Sequence, residues 1–322
     1  MKSAKISMDV VTFGESMVLF GPDSTGPLRY VQNFNKSIAG AESNVAIALA
    51  KLGHQVGWFS KLGNDEFGRY IQTTVRGEGV DISRVLVDYE RSTGILFKER
   101  LMHCNPNVYY YRKDSAASTL RPEELDESYI KAAKILHITG ITPALSKDCR
   151  KTVFKAIEIA KANNVLVSFD PNIRLKLWSR EEAVPVLLEI AKQADIIFPG
   201  IDEGEMLLGL TKPEDIAENF MNMGCSTVAV KLGKEGCYIA NKESSLYVDA
   251  YLLENPQDTV GAGDGFAAGF LSGMLRKLDF RECAEYGNGV GAMAVLVKGD
   301  MEGYPTFEQL MAFIGKKKMI ER

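Results

Sequence analysis

The stretch DTVGAGDGFAAGF, residues 258–270, sets three small residues and an acid at the mouth of an apolar helix. A helix start leaves backbone N–H groups without intrahelical partners and carries the positive end of the macrodipole. An anion settles there wherever no side chain blocks the approach. Gly261, Ala262 and Gly263 leave that approach open. An acid beside a bound anion is electrostatically unfavourable unless it takes part in chemistry. The chemistry that suits Asp264 is removal of a proton from a hydroxyl attacking a phosphoryl group. For a glycine pair alone, an ordinary turn with Asp264 complementing the helix dipole is the plainer reading.

Outward from this stretch, apolar β-rich runs alternate with helical patterns. DVVTFGE (9–15), QVGWFSKLG (55–63), KILHITGI (134–141), VLVSFD (165–170), DIIFPG (195–200) and STVAVKLG (226–233) read as strands. Between two of them, SKDCRKTVFKAIEIAKANN places Val153, Phe154, Ile157 and Ala160 on one helical face. The alternation predicts an α/β fold with a mostly parallel sheet covered by helices, and ligands gather beyond the carboxyl ends of such strands. Asp170-Pro171-Asn172, Gly200 to Glu203, and Lys231-Leu232-Gly233 all fall at that edge. Two segments break the pattern: 17–34 and 93–113 read as short antiparallel strands joined by turn residues.

Composition narrows the function. The chain has 322 residues, 46% of them apolar, enough for one large α/β domain or two ordinary ones. With 38 basic and 42 acidic residues the net charge is −4, which offers no basic field to nucleic acid or an anionic membrane. A small-molecule partner is the expectation. The five cysteines, Cys104, Cys149, Cys225, Cys237 and Cys283, form no C-x-x-C pair and suggest neither a disulfide framework nor a zinc site, which suits a reducing cytoplasm. MKSAKISMDVV is too polar for a signal peptide, no apolar run approaches a membrane span, and GKKKMIER reads as a solvated tail. There is no G-x-x-x-x-G-K-[ST], and GAGDGF lacks the third glycine of G-x-G-x-x-G, which disfavours a Walker ATPase and a Rossmann dehydrogenase. H-E-x-x-H and G-x-S-x-G are absent, and His54, His103 and His137 are scattered, with His137 reading as a satisfied core residue.

Asp258, Thr259, Gly261, Ala262, Gly263, Asp264 and Phe266 match D-T-x-G-A-G-D-x-F. In this the chain resembles the ribokinase-like (PfkB) carbohydrate kinases, whose second motif that is. The resemblance implies Asp264 as catalytic base and the amides of 261–264 as the anion hole for the transferring phosphoryl group, with Gly261, Ala262 and Gly263 also against the nucleotide. It further implies a ribokinase-like core over 1–16, 38–91 and 115–322. Segments 17–37 and 92–114 would form a small β-sheet lid that closes over the sugar and pairs with the lid of a second subunit.

Other segments fit the same family. IAGAESNVAIALAKLG (38–53) resembles its first motif, G-G-x-x-x-N followed by a helix, with Gly40 and Asn44 in register and Ala39 where the first glycine usually stands. SKLGNDEFG (60–68) matches L-G-x-D-x-F-G. In FDPNIRLKLW (169–178), Asp170 and Asn172 end a strand and Arg174 supplies a planar fork suited to carboxylate or phosphate. The resemblance sets Asn172 on the nucleotide side. GIDEGE (200–205) takes the place of the family's N-x-x-E, with Gly200 for Asn and Glu203 retained. Glu203 would then orient waters on Mg²⁺, although a cluster with Asp202 and Glu205 also reads as a solvated face. KLGKEG (231–236) resembles the loop along the ATP phosphates and ribose, implying nucleotide contacts from Lys231, Leu232, Gly233, Lys234, Glu235 and Gly236, and by itself reads as a turn into GCYIA. The resemblance sets the first turn of NGVGAMAVLV (288–297), with Asn288, against adenine.

VYYYRKDSAAS (108–118), DPNIRLKLW, HITGITPAL (137–145) and KGD (298–300) are similar to the kinases of 2-keto-3-deoxygluconate within that family. The likeness implies substrate contacts from Gly40, Tyr110, Arg112, Arg174, Asp264 and Asp300, the arginines toward the carboxylate, and transfer from ATP to the terminal hydroxyl. The product would be the 6-phosphate that is cleaved by an aldolase in the Entner–Doudoroff route. A sugar acid needs a cationic partner that a neutral sugar does not, and two pocket arginines in an acidic protein serve that need. Arg112 also reads as a lid-strand residue facing water, and Leu96 stands where some of these kinases carry a tyrosine. Two rivals remain: a kinase of fructose, ribose or a nucleoside, and a sugar-binding regulator without turnover.

Overall fold

The structure is a computed structural model, and it describes residues 7–100, 107–254, 256–257 and 259–317. Asp258, His103 and Cys104 lie outside the described residues. Along the chain, β1 (Met8–Phe13) leads into β2 (Met17–Pro22) and β3 (Phe34–Ala39), and α1 (Ala41–Lys51) returns to β4 (Val56–Phe59). There follow β5 (Lys61–Gly63), α2 (Glu66–Gly77), β6 (Leu86–Asp88), β7 (Ile95–Lys98) and β8 (Val108–Tyr111). The middle of the chain carries α3 (Glu127–Lys131), β9 (Ala133–Thr139), α4 (Thr142–Leu145), α5 (Lys147–Ala162), β10 (Leu166–Asp170) and α6 (Arg180–Ala191). After β11 (Ile196–Ile197) come α7 (Ile201–Leu208), α8 (Pro213–Met223), β12 (Thr227–Lys231), β13 (Cys237–Asn241) and β14 (Ser245–Val248). Three helices, α9 (Ala262–Leu275), α10 (Phe280–Ala294) and α11 (Phe307–Phe313), complete the described fold.

The main sheet has eight strands in the order β14-β13-β12-β11-β10-β9-β1-β4. It is parallel from β4 to β12 and antiparallel only where β13 and β14 join as an edge hairpin. Helices cover both faces, as strand–helix–strand crossovers require. One face packs on α1, α9 and α10 through residues such as Leu49, Phe270 and Val290. The other packs on α5, α6 and α8. The periodicity of α5 works as the sequence suggests: Val153, Ile157 and Ala160 are fully buried, Phe154 partly so, and Ser146 caps the helix by accepting the Cys149 N–H at 3.0 Å. His137, buried in β9, meets the Ser168 Oγ at 3.0 Å, and burial lowers its pKa to about 4, so it stays a neutral core residue. No helix of the described residues is long and apolar enough to cross a membrane.

Three strand expectations are trimmed. The run 55–63 splits, because β5 leaves the main sheet and pairs with β6. Of 195–200 only Ile196 and Ile197 pair as strand. β12 ends at Lys231, so the rest of KLG turns away. The smaller sheet, β3-β2-β7-β8, also corrects the antiparallel expectation, since its central pair β2–β7 is parallel. Both strands are separate excursions that leave the core side by side, so they run the same way; only the flanking pairs β2–β3 and β7–β8 are antiparallel.

Candidate active site

Three independent pieces of chain bring side chains to one edge of the sheet. Parallel strands β10 and β12 end at Asp170 and Lys231, and the Lys231 Nζ donates to both Asp170 oxygens, at 2.9 and 2.8 Å. Burial pulls the Lys231 pKa down, but the Asp170 and Glu203 carboxylates outweigh it and hold the ammonium above its ordinary range. Opposite lies the first turn of α9. Its N-cap is Gly261 at φ +79°, and a Cβ there would lie 2.1 Å from the Asp300 carbonyl oxygen, so only glycine makes this entry. A Cβ on Gly263 would meet only the Lys231 Nζ, at 3.6 Å. The amide turn is thus open on its outer side with a lysine ammonium beside it, a cradle that fits a phosphoryl group.

Asp264, in that first turn, is 8% exposed and sits between two amides. The Asn44 Nδ2 donates to its Oδ2 at 2.9 Å, and the Asn172 Nδ2 lies 3.4 Å from its Oδ1. Burial is the main cause of a carboxyl pKa raised to about 7, with the Asp170 charge adding to it and the Asn44 hydrogen bond, Arg174 and Lys231 opposing it. A base poised near neutrality is what abstraction of a hydroxyl proton requires. Asn172 holds a left-handed backbone, φ 37°, a conformation that asparagine tolerates, and this turns the chain sharply after β10.

These groups line a cavity of about 1260 Å³ between the strand ends and the smaller sheet, and Gly40, Tyr110, Arg112, Asn172, Arg174, Glu203, Lys231, Gly261, Gly263, Asp264 and Asp300 all reach it. Gly40 is there by necessity: a Cβ would lie 2.6 Å from the Glu15 carbonyl oxygen. Arg112 and Arg174 differ. The Arg112 Nε donates to the buried Glu15 Oε2 at 2.6 Å, with its Nη2 on the same oxygen. Among the described residues the Arg174 guanidinium has no hydrogen bond or ion pair, and its charge acts on Asp264. Tyr110 lies between two cations, with Arg112 and Lys176 each 5.6 Å from its ring centre. Glu203 accepts the N–H of Gly200 at 2.8 Å and of Ile173 at 3.0 Å, binding the entry of α7 to the 171–178 loop, and burial raises its pKa.

Ala262 follows Gly261 as the first helical residue of α9. Leu232, Gly233, Lys234, Glu235, Gly236 and Asn288 do not line the cavity. They lie close together, part exposed and part buried: the exposed 233–235 turn follows Lys231, the buried Gly236 packs against Val248 and Ala250, and the buried Asn288 donates its Nδ2 to the carbonyls of Val248 and Asp249 at 3.1 and 3.0 Å. That clamp occupies the Asn288 amide within the protein. Asn44, Asp170 and Lys176 also reach the cavity and are functional candidates beyond those the sequence singles out. Asn44 and Asp170 stand inside quoted motifs, but only the fold brings them to Asp264 and Lys231. Lys176 gives no local signal beyond its place two residues after Arg174, and its ammonium reaches the Val108 carbonyl at 3.2 Å.

Similarity to known proteins follows the same outline. The 2-dehydro-3-deoxygluconokinase of Bacillus subtilis (strain 168) is 43% identical over 319 residues, covering 98% of each chain. The solved structure of a 2-dehydro-3-deoxygluconokinase from Thermotoga maritima superposes with a TM-score of 0.89 at 27% identity, over 96% of this chain and 99% of that one. A putative ribokinase II from E. coli, solved in complex with ATP and Mg²⁺, gives a TM-score of 0.90 at 28% identity over 96% of this chain and 100% of its own. The pfkB family carbohydrate kinase profile matches residues 7–306, a span that includes the Asp264 turn, and this chain belongs to that family of carbohydrate kinases.

Proposed function

We propose that this carbohydrate kinase transfers the γ-phosphoryl group of ATP to the terminal hydroxyl of 2-keto-3-deoxygluconate (2-dehydro-3-deoxygluconate), giving the 6-phosphate. The observation that carries the chemistry is the buried Asp264, with its pKa near 7, set in the first turn of α9 between two amide donors. Asn44 and Asn172 fix its carboxylate, so that one oxygen can take the proton from the sugar hydroxyl. The exposed N–H groups of 261–264 face the charge that develops on the phosphoryl oxygens, and Lys231 adds a positive charge beside them. Arg174, without a partner among the described residues, meets the sugar carboxylate; Arg112 offers oriented donors to the same end; Tyr110, Gly40 and Asp300 shape the remaining contacts. The surface from Leu232 to Gly236, with Asn288 behind it, would carry the ribose and adenine.

The residues present fit Mg²⁺ only as an ion carried largely by phosphate and water, because the described residues hold no group of three or more His, Cys, Asp or Glu that could ligate a metal directly. When bound on ATP, it neutralises phosphate charge. Glu203 keeps lone pairs beyond the two N–H groups it accepts and would hold water on the ion. We assign residues 17–37 and 92–114 to a lid that excludes water on closure, pairing with a second copy of the chain, over a core of 1–16, 38–91 and 115–322. A cytoplasmic enzyme of the Entner–Doudoroff type fits this substrate. ADP release measured with 2-keto-3-deoxygluconate, 2-keto-3-deoxygalactonate, fructose and ribose tests the reading: the sugar acids should be preferred. A larger kcat/KM for fructose or ribose would move the protein to the neutral-sugar kinases, and no turnover with any would leave a binding protein.

A further inference from the structure

We infer that Glu15 is a positioning residue, whose length and placement aim Arg112 into the cavity and so set how well the site holds a carboxylate. The inference rests on Arg112 being a substrate contact. Glu15 occupies the short turn between β1 and β2, where the chain leaves the core for the smaller sheet, and it is 2% exposed. Its Oε2 accepts the Arg112 Nε–H at 2.6 Å and is in ion-pair contact with Nη2, and its Oε1 accepts the Ser115 hydroxyl at 2.5 Å.

Strand ends of the smaller sheet gather around this one residue, those of β7 and β8 around its side chain and that of β3 against its backbone. β2 begins two residues after it. Gly40 follows the end of β3, where a Cβ would press within 2.6 Å of the Glu15 carbonyl oxygen. Gly94 precedes β7, and a Cβ there would come within 2.8 Å of Oε1. Arg112 and Ser115 follow β8. Gly94 leaves room for the carboxylate beside Arg112, since a Cβ there would also come within 3.4 Å of the Arg112 Cβ. A guanidinium held along its Nε edge keeps its remaining N–H donors for the cavity that Arg112 lines, in a fixed plane. Glu15 also offsets the charge of Arg112, so Arg112 contributes direction while Arg174, without a partner among the described residues, contributes net charge.

The experiment compares E15D, E15Q and R112M with the double variant E15D/R112M, in the full-length enzyme. E15D keeps the ion pair but draws the guanidinium back by roughly 1 Å, a misplacement on the scale that costs up to about 10²-fold at a reacting site. For a binding contact the expectation is a KM for 2-keto-3-deoxygluconate raised about tenfold, with kcat and the ATP KM within about threefold. E15Q keeps the length, so its KM should stay within about threefold of wild type, while its Tm falls below that of E15D because the charge pair is gone. In the R112M background E15D should add nothing, since contacts sharing one partner are not additive. A purely structural Glu15 gives the reverse order in KM, E15Q worse than E15D, and overturns the inference. So does E15D at wild-type KM, or an E15D effect that persists with R112M. If R112M leaves the sugar-acid KM unchanged, the substrate role of Arg112 itself fails, and that result is told apart by arising without any change at Glu15.

Discussion

The floor and the wall of the cavity are built by different means. The floor consists of strand ends and a helix start: Asp170, Lys231, Asn172 and the 261–264 turn, each fixed by backbone geometry or by buried hydrogen bonds. The wall facing it comes from the smaller sheet, where Tyr110 is 37% exposed and Arg112 is held by the one carboxylate of Glu15. The sheet edge holds its groups through backbone geometry, whereas the thin four-stranded sheet presents side chains held by single contacts; on the proposed function the first supplies the chemistry and the second selects the substrate. Perturbing the floor should therefore remove turnover for every substrate, and perturbing the wall should change which substrate is taken.

The largest effect is expected at Asp264. Asp264→Asn keeps the shape and the Asn44 contact but cannot accept the hydroxyl proton, so kcat should fall by about 10²–10⁴ with sugar acid and neutral sugar alike, while ATP still binds. Near-normal turnover would take Asp264 out of the mechanism. Gly263→Val comes next. Its side chain has room in the folded chain, so the Tm should barely move, yet it fills the space before the amides, and kcat should fall by about 10²–10³. Unchanged kinetics in the folded variant would reduce the turn to an ordinary helix start.

Arg174→Met sharpens the comparison at the boundary of floor and wall. It deletes charge-assisted hydrogen bonds of about 1.5–3 kcal/mol, so kcat/KM for the sugar acid should drop about ten- to a hundredfold with little change for a neutral sugar. Arg112→Met should show the same selectivity and also lower the Tm, because it leaves Glu15 buried without its cation; Arg174→Met should leave the Tm in place. Equal losses on acid and neutral substrates would show that the wall does not read charge.

The smallest effect concerns pH. Activity needs Asp264 ionised, so kcat/KM should rise with pH through an acid limb near 7, and the limb should vanish in Asp264→Asn. The stability sign is the opposite of a paired carboxylate. Folded Asp264 keeps its proton up to about 7, whereas the unfolded carboxyl loses it near its ordinary value of 3.8, so the folded state binds more protons across that window. Stability contributed by this group therefore falls as pH rises from about 4 to 7, and at neutral pH Asp264→Asn should raise the Tm by a few degrees. A lower Tm for the variant would show that the buried carboxylate is not strained by its surroundings.

Much of this was legible from local pattern. Strand–helix alternation gave the parallel sheet, because burial on both faces leaves near-continuous apolar runs. The open helix start before Asp264 was visible in its small residues, because access to helix N–H groups depends only on side-chain size over one turn. The smaller sheet was visible as interrupted β-rich segments, but not its parallel centre, because pairing between separate excursions has no local signature. The trimming of 55–63 has the same origin, since β5 finds its partner in β6 across α2.

The pairings were not legible. Asn44 meets Asp264 across 220 residues, Arg112 meets Glu15 across 97, and Lys231 meets Asp170 across 61. Two pocket arginines look alike in the sequence; the fold pairs Arg112 with Glu15 and leaves Arg174 without a partner among the described residues. Asn288 likewise reads as a ligand contact by position, yet its amide is taken by the carbonyls of Val248 and Asp249. The sequence by itself determined the strand–helix alternation and the open helix start before Asp264, because those depend on contacts within one or two turns. Only the tertiary structure decided which charges are already satisfied and how far the pKa of Asp264 moves, because desolvation and ion pairing are set by groups that chain order keeps far apart.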